Sequence, residues 1–543
     1  MKASDLFVDC LENENVEFIF GIPGEETVDT MESLLDSKIN FVLSRHEQAA
    51  AFMADAYGRL TGKAGVCLST LGPGATNLIT GIANANLDRS PVIALTAQVG
   101  REKMHKESHQ YIDLVKTFYP LTKWNTSIRH PNAIPEVIRK SFKIAQIEKP
   151  GAVQIEFPED VAQNNVNSRP MEIREYFTSY PNEKEIKSAA KLIKESKYPI
   201  ILAGNGVIRT KASKKLLKFV EMNKIPVANT FMSKGVLPYD NEFSLGTIGL
   251  QMKDYAMCGF DKADLIIAVG YDFVEYSPRQ WNPNQNKKII HIDSRRSEID
   301  ASYVPSSELI GDIPVILEEL IKATGYNKRY DYFTEIINLI RKESEDKIND
   351  NAIPVKPQRI IKEIRNVMKK DDILISDVGI HKLWIARFFP TYEPNTVIIP
   401  NGFASMGFSL PAGIGAKLVD KKRNVIVVSG DGGFMMNSQE IETAKRLGIS
   451  LVIIVLTDKK LGLINYYQKH FKKQIGVEFS NPDFIKYAES FGALGYKIEK
   501  TSDIESILKN AIQSKDVCII DVPIDNSENY AILEKMGKII CPM

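Results

Sequence analysis

The chain has 543 residues, of which 44% are hydrophobic and 25% charged, and its formal net charge at pH 7 is +1. This composition is typical of a globular protein, and the length predicts about three domains. The near-zero charge gives no indication of a nucleic-acid or membrane-surface partner. No apolar run reaches the ~20 residues of a membrane-spanning helix. We therefore expect a protein that binds neither nucleic acid nor membrane.

The cysteines and the N-terminus predict a cytoplasmic protein. The five cysteines are Cys10, Cys67, Cys258, Cys518 and Cys541. They show no metal-binding CxxC or CxH spacing and no even-numbered disulfide framework, which favours a reducing compartment. The first stretch, MKASDLFVDCLENENVEF, has acidic residues inside its apolar pattern and no small-residue cleavage site. We interpret it as an amphipathic helix and not as a signal peptide.

The first predicted domain, residues 1–165, alternates helical and strand patterns. It begins with a helix at 2–13, a strand at 18–21, a helix from Thr27 and a strand at 41–43. Repeated alternation of this kind favours a parallel sheet covered by helices on both faces.

Two features of this domain follow predicted strands. Glu47 begins a helix in RHEQAAAFMADAYGR. A carboxylate there ordinarily complements the helix dipole, and the residues alone favour that interpretation. Further on, Gly-Pro-Gly in TLGPGATN predicts a rigid turn before a helix capped near Thr76 or Asn77.

The second predicted domain, residues 185–345, follows a polar linker at 164–184. Four patterns of buried strands, at 198–207, 225–230, 263–272 and 288–294, are each followed by a turn or helix. They predict a Rossmann-like sheet. The turn AGNG does not match GxGxxG, so the residues disfavour a nucleotide site and a Rossmann dehydrogenase.

The third predicted domain, residues 357–530, follows a charged, proline-containing linker at 346–356. It begins with a helix at 357–369 and a strand at 372–376. Later, a β-branched run at 425–428 predicts a buried strand, SGDGG the turn that leaves it, 438–447 a helix and 451–456 a second strand. This is a βαβ unit.

The glycine-rich turn of that unit predicts a diphosphate site. Gly430, Gly432 and Gly433 allow the backbone to approach a ligand, and the amides of a helix N-terminus favour a phosphate. Glycine at such a turn is often only geometry. Asp431 lies inside the turn, however, and Asp458 ends the next strand, 27 residues later. In parallel α/β units both positions lie at the carboxyl edge of the sheet. Two carboxylates beside a phosphate suit Mg²⁺, so we predict a Mg²⁺-bridged diphosphate.

These residues carry a resemblance to a known family. Gly-Asp-Gly followed about 27 residues on by Asn or Asp resembles the thiamine diphosphate fingerprint, and the chain resembles acetolactate synthase catalytic subunits over essentially its full length. The resemblance implies an α/β fold of three doubly wound parallel-sheet domains. The first binds the pyrimidine of the cofactor, the second is Rossmann-like, and the third binds the diphosphate. It also implies that Mg²⁺ is held by Asp431, Asp458 and the main-chain carbonyl of Lys460.

The resemblance gives roles to N-terminal residues. It implies that Glu47, in RHEQ, hydrogen-bonds the aminopyrimidine of the cofactor, and that Gly72 and Pro73 approach the cofactor. KESHQYID resembles the active-site loop of the catabolic, FAD-independent synthases, whose anabolic relatives have Phe-Gln in place of His-Gln. His109 and Gln110 are then expected to contact carbonyl oxygens of substrate and intermediate.

Further roles fall on the third domain. Gly379 and His381, in DVGIHKLW, are expected at the diphosphate, although the residues alone also fit an ordinary loop histidine. Met406 corresponds to the residue that wedges between the two cofactor rings, although methionine is more often core filler. Ile464 and Tyr467 are expected to face the cofactor and substrate.

The implied reaction is acetolactate synthesis. One pyruvate is decarboxylated, and its hydroxyethyl group condenses with a second pyruvate to give 2-acetolactate and CO₂. Thiamine diphosphate and Mg²⁺ are the expected cofactors. FAD is less favoured, because in GYDFVEYSPRQW the residues Asp272, Val274 and Tyr276 stand near the positions where the FAD-binding relatives have arginines. The resemblance also implies a homodimer or homotetramer with its active site at the subunit interface, and leaves a regulatory subunit open.

Two departures keep an alternative open. Glu25 replaces a small residue after GIPG, and Glu159 replaces Lys or Gln in FPED. Two acids near the pocket disfavour an anionic 2-oxo acid unless they point away or are neutralised. The alternative is another thiamine-diphosphate-dependent 2-oxo acid decarboxylase or carboligase. A non-catalytic paralogue is disfavoured because Glu47, Asp431, Asp458 and Met406 are all present.

Overall fold

The computed structural model describes residues 1–174, 179–249, 254–325, 331–536, 539 and 541. These residues contain three six-stranded sheets with helices between the strands, and neighbouring strands within each sheet are parallel. The predicted α/β class with three parallel-sheet domains is therefore confirmed. The domain bounds stay predictions, and part of the first predicted linker, residues 175–178, lies outside the described residues. None of the described helices is both long and apolar enough to cross a membrane.

The N-terminal sheet has the order β2-β1-β3-β4-β6-β5. Its strands are β1 Phe18–Gly21, β2 Asn40–Leu43, β3 Gly65–Ser69, β4 Val92–Gln98, β5 Trp124–Ser127 and β6 Ala152–Pro158. Its helices are α1 Ala3–Asn13, α2 Val28–Leu34, α3 Glu47–Thr61, α4 Gly72–Leu87, α5 Leu114–Phe118, α6 Ile134–Gln146 and α7 Glu159–Ala162. Strands β3, β4 and β6 are buried along their whole length, as expected of a sheet covered on both faces.

One helix of this unit begins earlier than predicted. Helix α4 starts at Gly72, with Leu71 at its N-cap, so Thr76 and Asn77 lie inside it and do not cap it. Proline is well suited to the first turn, because the first amides of a helix have no intrahelical acceptor. Pro73 therefore belongs to the helix and does not form a turn before it.

The central sheet has the order β12-β11-β10-β7-β8-β9. Its strands are β7 Pro199–Ala203, β8 Val227–Asn229, β9 Ser244–Thr247, β10 Leu265–Val269, β11 Lys288–Asp293 and β12 Ser307–Ile310. Its helices are α8 Glu183–Glu195, α9 Asn205–Arg209, α10 Ser213–Asn223, α11 Tyr255–Lys262, α12 Pro278–Trp281, α13 Ile313–Thr324 and α14 Thr334–Ser344. The four predicted strands are present, and the two edge strands β9 and β12 are additional.

The C-terminal sheet has the order β14-β13-β15-β16-β18-β17. Its strands are β13 Ile373–Ser376, β14 Val397–Ile398, β15 Val425–Gly430, β16 Leu451–Thr457, β17 Leu494–Lys497 and β18 Val517–Pro523. Its helices are α15 Pro357–Val367, α16 Ile380–Phe388, α17 Ser409–Val419, α18 Asp431–Asn437, α19 Glu440–Arg446, α20 Gly462–Tyr467, α21 Phe484–Ser490, α22 Ile504–Gln513 and α23 Ser527–Met536.

The predicted SGDGG turn is wrong in detail. Strand β15 continues to Gly430, and α18 begins at Asp431 without an intervening loop. The Asp431 carboxylate accepts a hydrogen bond from the Gly432 amide at 2.9 Å, which satisfies one of the free donors of the first helical turn. The predicted helix at 438–447 is the next helix, α19.

The N-terminal and C-terminal units of one chain share a hydrophobic core. Helix α3 packs along α17, and the rings of Phe52 and Phe408 meet edge to face with centroids 5.3 Å apart. Gly415 brings the two backbones close, because a Cβ there would stand 2.5 Å from the Met53 carbonyl oxygen.

Two of the five cysteines are bonded, although their number and spacing showed no disulfide framework and favoured a reducing compartment. Cys258 in α11 and Cys541 near the end of the chain form a disulfide. Cys10, Cys67 and Cys518 are buried and free.

Candidate active site

A cavity of about 280 Å³ opens at the carboxyl edge of the C-terminal sheet, beside the ends of the neighbouring strands β13, β15 and β16. It is lined by most of the C-terminal residues that the sequence predicts for the site, namely Gly379, His381, Met406, Gly430, Asp431, Gly432, Gly433, Asp458, Lys460 and Ile464. Tyr467, which the sequence predicts to face the substrate, does not line this cavity. The convergence follows from the fold, because the carboxyl ends of parallel strands meet at one edge. The roles of these residues stay predictions.

Asp431 is buried at the start of α18, with both carboxylate oxygens engaged. Its Oδ2 accepts hydrogen bonds from the Asp458 amide at 3.2 Å, the Lys459 amide at 2.8 Å and the Asn481 Nδ2 at 2.8 Å. These donors fix the carboxylate beside the end of β16. They also join the two halves of the βαβ unit at the point where a metal is predicted.

Asp458 is the second predicted metal ligand. Burial, with the neighbouring charge of Asp431 as the second cause, raises the pKa of Asp458 to about 6. A cation between the two carboxylates would relieve this repulsion. Among the described residues no group of three or more His, Cys, Asp or Glu side chains forms a metal cluster. The two acids therefore suit a metal that completes its shell with main-chain, phosphate and water oxygens.

Lys460 directs its charge away from this pair. Its Nζ lies 2.9 Å from Oε1 of Glu478, while its amide donates to Oδ1 of Asp458 at 3.0 Å. The side chain therefore does not compete with a metal for the two aspartates. Such an arrangement is compatible with the predicted use of the Lys460 carbonyl.

His381 is a neutral donor or acceptor in the cavity wall. Burial lowers its pKa to about 4. Within the described part of the chain its buried Nε2 has no hydrogen-bond partner. A Cβ on Gly430 would stand 3.4 Å from its Nδ1, so the glycine lies directly against the ring. An orphaned buried nitrogen beside a glycine-rich strand end fits a polar ligand such as a diphosphate.

The side chain of Met406 lies close to Gly432 at the start of α18. A Cβ on Gly432 would stand 3.6 Å from the Met406 Cε. The Met406 loop is held by Asp377, whose carboxylate accepts the amides of Gly407 and Ser409, both at 2.9 Å. Burial raises the pKa of Asp377.

The N-terminal candidates form a second group at the carboxyl edge of their own sheet. Glu47 is 7% exposed, and its Oε2 accepts a hydrogen bond from Asn77 Nδ2 at 2.9 Å. Its Oε1 faces Gly74, where a Cβ would stand only 3.2 Å away. The start of α4, with Gly72 and Pro73, therefore lies against the Glu47 carboxylate.

The loop with His109 and Gln110 adjoins the same helix start. Gly72 has a φ of +43°, and a Cβ there would stand 2.5 Å from the Gln110 carbonyl oxygen. Both His109 and Gln110 are exposed. The structure thus brings Glu47, Gly72, Pro73 and Gln110 to one face, with His109 next to them in the chain.

The two groups do not line one cavity within a single chain. The residues around the C-terminal cavity all lie between Pro357 and Asn529. Exposed apolar side chains stand at or near its mouth, including Ile464 at 46% and Tyr467 at 55%.

Comparison with known families covers the three units in order. The thiamine pyrophosphate enzyme family, named for the same molecule as thiamine diphosphate, matches at residues 1–117 with its N-terminal TPP binding domain. Its central domain matches residues 186–320, and its C-terminal TPP binding domain matches residues 377–522.

Relatives extend over nearly the whole chain. A probable acetolactate synthase large subunit from Methanocaldococcus jannaschii is 38% identical over 99% of this chain and 94% of its own length. An acetolactate synthase from Bacillus subtilis is 36% identical over 97% and 94%. A catabolic acetolactate synthase from Raoultella terrigena is 34% identical over 98% and 97%. The chain belongs to the acetolactate synthase family of thiamine pyrophosphate enzymes.

The two acids that keep an alternative substrate open, Glu25 and Glu159, have different surroundings in the structure. Glu159 is neutralised, because its Oε1 lies 3.0 Å from both the Lys103 Nζ and the Gly100 amide. Glu25 is exposed at the turn after β1. The neighbouring Glu26 accepts a hydrogen bond from Thr70 Oγ1 at 2.6 Å.

Sequence reasoning missed two residues that hold the acetolactate synthase site together. Asp377 directly follows β13 in the quoted stretch DVGIHKLW, so its place at a strand end is a signal that could have found it. Asn481 lies in a loop 50 residues after Asp431, which it contacts. No local pattern around Asn481 announces that contact.

Proposed function

We propose that this chain is an acetolactate synthase of the FAD-independent, catabolic type. It decarboxylates one pyruvate and joins the resulting two-carbon unit to a second pyruvate, releasing CO₂ and 2-acetolactate. The observation that carries the proposal is the convergence of Asp431, Asp458 and His381 on one cavity at a strand edge. Full-length similarity to proteins named acetolactate synthase supports it.

The residues of the cavity fit thiamine diphosphate and Mg²⁺. The paired carboxylates of Asp431 and Asp458 and the carbonyl of Lys460 would hold the metal, and the orphaned nitrogen of His381 would meet the diphosphate. Met406, held through the Asp377 loop, would support the rings. When bound, thiamine diphosphate supplies a nucleophilic carbon and an electron sink for decarboxylation.

We assign proton exchange to Glu47. Its Oε2 is held by Asn77, and its Oε1 stands beside Gly74, which has no side chain to cover it. Because burial restricts water around this carboxylate, a hydrogen bond from Glu47 to the aminopyrimidine would be stronger than in water. His109 and Gln110 then orient the carbonyl oxygens of the substrates.

We propose that two chains complete each site. The C-terminal cavity of one chain contains no described N-terminal residue, whereas Glu47 belongs to a separate face. Met435 and Met436 on α18, and Phe403 in the stretch between β14 and α17, are exposed apolar residues that a dimer would cover.

The arrangement of the central unit is compatible with catalysis that does not use FAD. At the turn after β7, where a doubly wound sheet receives a dinucleotide phosphate, the Asn205 amide donates to both oxygens of Glu275, at 3.1 and 3.0 Å. Asp272 lies beside Lys149 and Arg209 at the same edge. The carboxylates of Glu275 and Asp272 are thus already paired with the hydrogen-bond donor and the cationic side chains that a bound diphosphate would need.

The test is product analysis with purified protein, thiamine diphosphate, Mg²⁺ and pyruvate, without added FAD. We expect 2-acetolactate and CO₂, and a loss of about 100-fold or more in rate for Glu47→Gln, since general acid–base groups contribute on that scale. Glu17→Gln, at an exposed glutamate of the same unit, serves as the matched control and should keep the rate.

Two results would overturn the proposal. The first is cofactor binding without formation of acetolactate from pyruvate, which would direct attention to Glu25 and to other 2-oxo acids. The second is full activity in Glu47→Gln.

A further inference from the structure

The end of the chain is covalently attached to a domain other than the one it leaves. Cys541 bonds to Cys258, 283 residues earlier, in helix α11 of the central unit. Cys258 is buried and Cys541 is half-buried, and Ile539 and Cys541 both pack against the central hydrophobic core. The disulfide therefore links the segment after α23 to the central unit.

Helix α23, which leads to this disulfide, forms part of the active-site wall. Asn529 lines the C-terminal cavity, and its Oδ1 accepts a hydrogen bond from Trp384 Nε1 at 2.7 Å. Ile524, just before the helix, lines the same cavity.

The same helix also holds α20, which carries Ile464. Tyr530 OH accepts a hydrogen bond from Asn465 Nδ2 at 2.5 Å, and the rings of Tyr530 and Tyr466 lie 5.9 Å apart. Glu534 lies 3.5 Å from Lys469, just beyond α20. Only four residues lie between Met536 and Cys541, so a tether at Cys541 limits how far α23 can move from the cavity.

We propose that Cys258–Cys541 is a redox modification site at which a dithiol reductant releases the C-terminal segment and loosens this wall of the active site. A thiolate of the reductant attacks Sγ of Cys541, the more accessible sulfur, and expels Sγ of Cys258. The second thiol of the reductant then displaces Cys541. Two electrons and two protons pass to the protein, which gains two thiols, while the reductant becomes a disulfide.

The surroundings of Cys541 suit the reduced form. Its Sγ lies 3.6 Å from Oδ2 of Asp261, so a thiol at Cys541 has an acceptor within reach. After reduction, Ile539 and Cys541 would be held to the central unit by noncovalent packing alone, and this contact can open locally at a free energy below that of global unfolding.

The first experiment counts thiols in full-length protein that is purified aerobically and denatured without reductant. We expect three reactive thiols, from Cys10, Cys67 and Cys518, and five after treatment with dithiothreitol. Five thiols before treatment would overturn the proposal.

The second experiment measures how fast carboxypeptidase removes the C-terminal residues of the native protein. It also measures how fast the native protein releases thiamine diphosphate. Dithiothreitol should raise both rates about tenfold in the wild type, because a local opening becomes accessible. Cys541→Ser should show the raised rates with or without dithiothreitol. Cys518→Ser, at a buried free cysteine, should respond as the wild type does.

Equal rates with and without dithiothreitol in the wild type would overturn the switch. Because thiol counting and carboxypeptidase cleavage do not depend on turnover, their failure is distinguishable from a failure of the proposed function.

Discussion

Asp431 and Asp458 lie together at the site, but their carboxylates differ in how many hydrogen bonds they accept from the rest of the protein. Asp431 accepts three bonds on Oδ2 and one on Oδ1, whereas Asp458 Oδ1 accepts one from the Lys460 amide. Replacing each aspartate by asparagine in turn therefore distinguishes an effect on metal binding from an effect on stability.

For Asp458→Asn we expect at least a tenfold rise in the Mg²⁺ concentration needed for half-maximal activation, with little change in melting temperature. The expected reason is the loss of one hard oxygen charge from the metal site. Asp431→Asn should also lower the stability, by about 1–3 kcal/mol, since an amide nitrogen would face backbone N–H donors. Metal titrations and thermal unfolding measure the two effects. An unchanged Mg²⁺ requirement in Asp458→Asn would contradict the assignment.

A second residue prediction concerns Glu440, which accepts the Arg45 amide at 3.0 Å and the Thr443 hydroxyl at 2.6 Å. Burial raises its pKa to about 7 from the ordinary value of 4.5. Between these two pH values the folded chain binds the proton more strongly than the unfolded chain, so this group lowers stability as the pH rises.

In Glu440→Gln, the contribution of this group to the pH dependence of stability should be absent. Relative to the wild type, the variant should gain up to about 3 kcal/mol of stability between pH 5 and pH 8, given 1.36 kcal/mol for each unit of pKa. Melting temperatures of both proteins across this range provide the measurement. A difference that stays constant, or that shrinks with rising pH, would contradict the prediction.

At this scale the sequence predicted the residues that follow strand ends and missed those whose partners are distant. Asp431, Asp458 and His381 were found because strand patterns and short motifs are local. Asn481 was not found, because its contact with Asp431 depends on how a later loop folds back.

At the scale of elements, the pair α3 and α17 ties the first sheet to the third. Gly415 and Met53 mark the closest approach, and the neighbouring atom at Gly415 is a backbone oxygen that cannot rotate away. The helices therefore tolerate little extra volume at this point.

Gly415→Ala should lower the free energy of unfolding by about 1–3 kcal/mol, in spite of the higher helix propensity of alanine, because overpacking must separate the two helices. Lys421→Ala, at an exposed position beyond α17, is the control and should change stability little. Denaturant titration of both variants gives the comparison. A Gly415→Ala protein as stable as the wild type would show that the helices are free to separate.

Strands with continuous apolar runs were predicted well, and two partly buried edge strands of the central sheet were not. The strands at 18–21 and 451–456 were placed within one residue of β1 and β16, because buried parallel strands have continuous apolar runs. Strand β9, SLGT, and strand β12, SELI, are short and lie at edges where only part of each strand is buried. Their identity depends on pairing with neighbours, which no local pattern encodes.

At the scale of the whole molecule, the division of the candidate residues between two faces makes a prediction about assembly. Glu47→Gln and Asp458→Asn remove one component from each face. If each site combines the faces of two chains, a mixed dimer has one site with both components intact.

At a Mg²⁺ concentration too low to activate Asp458→Asn alone, mixing equal amounts of the two variants under conditions of subunit exchange should therefore restore about a quarter of the wild-type activity, as random pairing in a twofold dimer requires. The rate should rise with the time allowed for exchange. Each variant incubated alone is the control. An absence of recovery, with exchange verified by mass spectrometry, would place both components in one chain.

The core shared by α3 and α17 has a further consequence, for synthesis of the chain. The apolar face of α3 is complete once Thr61 has been translated, but its partner begins at Ser409, 348 residues later. At about 5–20 residues per second, the nascent N-terminal unit waits for tens of seconds with that face uncovered. We therefore expect chaperones that shield this helix on the ribosome to favour folding, and pauses in translation before residue 409 to favour aggregation.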